Sequence, residues 1–105
     1  MWFGASLLFR SSVPLDEHGT PLFEERIILL DAHDEAEAWK KAKERAPGLE
    51  EHYINAEGHC VTWTFERPLD VQEIPDEQLE DGVEVFHRFL REDEVHSLGR
   101  SITQR

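Results

Sequence analysis

The feature that most constrains this chain is the alternation at its N-terminus, "WFGASLLFR". There Phe3, Ala5, Leu7 and Phe9 interleave with Trp2, Gly4, Ser6, Leu8 and Arg10. A period of two puts the first set on one side of an extended strand and the second on the other. One strongly apolar face requires a sheet and a layer packed on it. The small residues Gly4 and Ser6 on the second face leave room for close approach by a helix, a neighbouring chain or a ligand. The same run sits where an export signal would lie, but no Lys or Arg precedes Arg10, and it is far shorter than the roughly 20 residues of a membrane helix. It is therefore read as the first strand of a fold. With a single cysteine, Cys60, the expected compartment is the cytoplasm and no membrane contact is expected.

The remaining elements follow from local signals. "VPLDEHGTPL" carries two prolines and a glycine and reads as a long loop, after which "FEERIILLDA" is extended again, apolar on both faces at 27–30 like a central strand. "HDEAEAWKKAKERAPG" is a helix with Asp34 as N-cap, Glu37 as its capping-box partner and Pro47-Gly48 as its stop. Its inward stripe is read as Ala36, Trp39, Ala42 and Ala46, with Trp39 as anchor. "HYINAEGHCVTWTFER" is a hairpin whose turn, Asn55-Ala56-Glu57-Gly58, needs a left-handed glycine. That turn pairs Ile54 with Cys60, Tyr53 with Val61 and His52 with Thr62. It gives a core face of Tyr53, Val61, Trp63 and Phe65. "PLDVQEI" is a short strand placed by Pro68 at an edge or after a bend. For "VEVFHRFLR" periodicity leaves strand and helix both open.

The order ββαβββ plus an uncertain C-terminal element implies an α+β domain: one mostly antiparallel sheet of about five strands with one main helix on one face. The 105 residues suffice for one domain, drawn as 1–93 with a weakly ordered tail at 94–105. One helix leaves aromatic residues over, so the C-terminal segment or a second copy of the chain is expected to cover them, which makes a homodimer an open expectation.

Charge narrows the function classes. There are 23 Asp and Glu against 11 Lys and Arg, a net of −12. Such a chain repels phosphate backbones, so basic proteins rather than nucleic acids or anionic membranes are the expected partners. Residues 70–94 hold ten carboxylates against Arg88 and Arg91. Within them Phe86, Phe89 and Leu90 lie between Glu84 and Glu92, an apolar patch rimmed by acids. The candidate partner-binding residues are Asp76, Glu77, Glu80, Asp81, Glu84, Phe86 and Phe89, with closure of the core as the competing role for the aromatics.

Catalytic and metal signatures are missing. Walker, GxGxxG, GxSxG and HExxH motifs are absent, and neither the histidines nor Cys60 have metal-ligand spacing. No cofactor, metal or catalytic residue is expected, and adjacent carboxylates such as Glu24/Glu25 or Glu50/Glu51 read as solvated surface. His52 and Cys60 share a face diagonally, roughly 7 to 8 Å apart by strand geometry.

"WFGASLLFRS", "FEERIILLDAHDEAEAWKKA" and "DGVEVFHRFLR" together resemble domain-of-unknown-function family 4288, small and mostly bacterial proteins, across about Trp2 to Arg91. That resemblance implies no activity and no catalytic residue. The leading expectation is a non-enzymatic acidic interaction domain, of the kind that acts as an immunity or inhibitor protein toward a basic, nucleic-acid-cleaving partner. The alternative is a small-ligand binder or small enzyme with a pocket between sheet and helix or at a dimer interface, lined by Trp2, Arg10, His52 and Cys60. A third is a small structural subunit, told apart by a stable oligomer without ligand.

Overall fold

The N-terminal alternation becomes a strand of 13 residues, β1 (Trp2–Pro14). In the computed structural model, which describes residues 1–14, 19, 21–75 and 78–99, it is joined by β2 (Pro21–Asp31), β3 (Glu51–Ile54) and β4 (Cys60–Glu73). The sheet is antiparallel throughout, in the order β2-β1-β4-β3. Helix α1 (Glu35–Arg45) crosses one face, and α2 (Glu92–Leu98) lies near the C-terminus in the region read as a tail.

Four strands stand where about five were expected, because the hairpin's second arm and "PLDVQEI" are one strand, β4. Two register shifts against β1 explain this. Ser6 pairs with Asp70 and Leu7 with Pro68, then Leu8 with Arg67 and Phe9 with Phe65, so Leu69 and Glu66 are extra residues in the ladder. Such bulges bend a strand without ending it. Pro68 sits beyond the stretch that β3 pairs, where its missing N–H faces an open edge. The hairpin register is as the turn chemistry requires: Ile54 opposes Cys60 and His52 opposes Thr62, with Gly58 at φ 84°.

Asp34 caps α1 by accepting a hydrogen bond from the Glu37 N–H at 2.8 Å. The buried stripe is Ala38, Ala42 and Ala46, which corrects the expected one: Ala36 is exposed and Trp39 only half-buried. Alanines four residues apart let the helix axis come close to the sheet, and the indole is displaced to the flank. Pro47 does not stop the chain abruptly, since a 3₁₀ turn (Ala46–Leu49) carries the helix on into β3.

Between α1 and the sheet lie Phe3, Ala5, Leu7, Phe9, Leu30, Val61, Trp63 and Val71, all buried. Phe9 and Phe65 pack with ring centroids 5.7 Å apart, and the Trp63 indole N–H donates to the Tyr53 hydroxyl at 3.1 Å. Arg26 closes one end of this layer. Its guanidinium lies 4.9 Å over the Phe9 ring, donates to the Leu49 carbonyl at 3.0 Å, and pairs with Glu24 and Glu51 at 2.9 and 2.8 Å.

Candidate interaction surface

The second face of the sheet presents Gly4, Ser6 and Leu8 from β1, Gln72 from β4, and Phe23, Glu25, Ile27 and Leu29 from β2. Residues 83–91, left open between strand and helix, are neither. They run across this face as an extended strap held by side chains. A Cβ on Gly4 would overlap the Val85 carbonyl oxygen and touch the Phe86 ring, so the room read into Gly4 is taken by the chain's own C-terminal segment. Next to it, the Gln72 amide grips the backbone of residue 87 from both sides. Its Nε2 donates to the His87 carbonyl at 2.7 Å and its Oε1 accepts from the His87 N–H at 3.1 Å. One residue on, Arg88 donates to Glu25 Oε1 at 2.6 Å, and the other oxygen of Glu25 accepts from the buried Ser6 hydroxyl, also at 2.6 Å.

Anchoring the strap divides the residues proposed for partner contact. Phe86 is half-buried against Gly4 and serves the fold. Phe89 is 94% exposed, touching only the edge of the His87 ring at a centroid distance of 6.2 Å among its ring contacts. Glu80, Asp81 and Glu84 are exposed, on a segment turned by a hydrogen bond from the Val83 N–H to the Glu80 carbonyl. Asp76 and Glu77 lie outside the described residues. Beyond the strap, Glu92 and Asp93 open α2, and Val95 and Leu98 add exposed apolar surface to Phe89 and Leu90. The contributions of Val95 and Leu98 were not read from the sequence, since seven helical residues are too few to show a period.

Trp2, Arg10, His52 and Cys60 are spread over the sheet. Trp2 helps line an open groove of about 670 Å³ between β2 and the α1 side, with Ile28, Leu30, Lys41, Arg45 and Leu49. Arg10 lies 5.7 Å over the Phe23 ring and 4.0 Å from Glu66. His52 and Cys60 are exposed diagonal neighbours on the open side of the β3–β4 hairpin. Of the four, only these two come together. Among the described residues, no group of three or more His, Cys, Asp or Glu side chains is placed to hold a metal, and no helix is long and apolar enough to cross a membrane.

The model of a family described as a domain of unknown function, DUF4288, matches residues 2–87. That span takes in the whole sheet, α1 and the strap as far as its Gln72 anchor. No curated protein and no solved structure matches the chain.

Proposed function

The chain belongs to the DUF4288 family, and we propose that it works as a non-enzymatic interaction domain that docks a basic protein on its acidic C-terminal segment. The observation that carries this reading is Phe89. A phenylalanine with 94% of its surface in water is an anchor without a socket, and exposed carboxylates precede it along the segment at Glu80, Asp81 and Glu84 and follow it at Glu92 and Asp93. The strap beneath is tied to the sheet at Gly4, Gln72 and Glu25. Its tip is thus presented from a fixed base, which lowers the ordering cost of binding. The carboxylates would draw in a positively charged surface and fix its orientation, while the aromatic and its apolar neighbours supply affinity. A nucleic-acid-cleaving protein with a basic groove is the partner class this chemistry fits.

The test is affinity capture at low salt with wild type, a Phe89→Ala variant, and a Glu80→Gln/Asp81→Asn/Glu84→Gln variant. One basic protein retained by wild type and lost by both variants is the expected result. An identical set retained by all three would contradict the proposal.

A further inference from the structure

Among the described residues the sheet ends at β2 on one side and at β3 with the unpaired part of β4 on the other, and the β4 side is blunted. Beyond β3, the edge of β4 is broken by the bulges at Glu66 and Leu69, and Pro68 offers no donor. The Phe65 N–H is taken by Glu50 Oε2 at 2.7 Å and the Val71 N–H by Asp70 Oδ1 at 2.8 Å. Charged residues and prolines of this kind keep an edge from pairing with another chain.

Between residues 23 and 30 the β2 edge carries no proline and no bulge, and its charged residues are Glu24, Glu25 and Arg26. Among the described residues β2 pairs with β1 alone. The Ala32 N–H donates to the Met1 carbonyl, and the pairs Leu30/Phe3, Ile28/Ala5, Arg26/Leu7 and Glu24/Phe9 follow at steps of two. The even-numbered residues therefore exchange hydrogen bonds with β1, and Phe23, Glu25, Ile27 and Leu29 turn N–H and C=O groups outward. Three of these four carry large apolar side chains that are 52, 45 and 45% exposed. The charges nearby are directed into the fold, Glu25 onto Ser6 and Arg88, and Arg26 onto Glu51 and Leu49. At the end of the stretch Lys41 Nζ donates to the Asp31 carbonyl.

We infer that β2 pairs antiparallel with β2 of a second copy across a two-fold axis, joining the two sheets into one. An isologous contact requires a strand complementary to itself, and the charges on β2 select its register. Centring the axis on Glu25 sets that carboxylate against its own copy, centring on Ile28 sets it against Asp31, and centring on Arg26 opposes two guanidinium groups. Centring on Phe23 or Leu29 avoids like charges but pairs only five residues of β2, whereas centring on Ile27 pairs nine, opposing Ile27 to itself, Glu25 to Leu29 and Arg26 to Ile28 with no like charges facing. The second copy is thus a strand that fits this edge in both hydrogen bonding and charge.

The experiment is sedimentation velocity of the full chain over a dilution series at low and at moderate salt, with far-UV circular dichroism as the control for folding. Wild type is expected to show a monomer–dimer equilibrium that shifts toward dimer as salt screens the repulsion between two acidic copies. Ile27→Pro removes an outward N–H and leaves the β1 ladder intact, while Leu29→Glu sets a carboxylate against Glu25 of the second copy. Both are expected to stay monomeric throughout. If the proline variant loses its fold, Leu29→Glu decides alone, since its side chain is 45% exposed and lies outside the core. A wild type that stays monomeric at every concentration, or dimers that persist in the folded variants, would overturn the assignment.

Discussion

A methyl group at position 4 would occupy the space of the Val85 carbonyl oxygen, so any side chain here would collide with the strap. Gly4→Ala should destabilise the domain by about 1–3 kcal/mol in urea denaturation, the usual cost of forcing backbone apart, and should make the strap more sensitive to protease. Gly48→Ala is the matched control, because nothing lies within 4 Å of its added carbon. Arg26 shows what residue-level reading missed. A lone Arg in a strand reads as surface, yet here one guanidinium joins Glu24, Leu49, Glu51 and the Phe9 ring. Arg26→Ala should cost about 2 kcal/mol by denaturation, and a double-mutant cycle with Glu51→Gln should show coupling between the two.

At the scale of elements, the parts legible in the sequence are those with local chemistry. The hairpin register follows from Asn55, whose Oδ1 accepts from the Glu57 and His59 N–H groups, and from a glycine that tolerates positive φ. The helix start follows from Asp34. Proline made β4 look like two strands, because bulges that absorb a proline leave no periodic trace. The strap was illegible for a related reason: its hydrogen bonds go to side chains, above all Gln72, rather than to a ladder. Gln72→Ala should accordingly raise amide hydrogen exchange at His87 while leaving protection across β1 and β2 unchanged. Equal loss of protection in both places would show that the strap and sheet open as one unit.

At the scale of the whole molecule, the two proposed contacts respond oppositely to salt. Its net charge of −12 opposes contact between copies and favours contact with a basic partner, so raising ionic strength should strengthen the β2 pairing and weaken the docking. In the proposed docking, the sign of the partner rests on composition. The proposed place of contact is legible in sequence only as a stretch, since Phe86 and Phe89 look alike there and are separated by burial alone. The most direct measurement of the central claim is the dissociation constant of the captured basic protein across a salt series, for wild type and for the Glu80→Gln/Asp81→Asn/Glu84→Gln variant. Acidic docking predicts affinity that falls steeply with salt in wild type and less steeply, from a weaker start, in the variant. Equal affinities and equal slopes in the two proteins would contradict it.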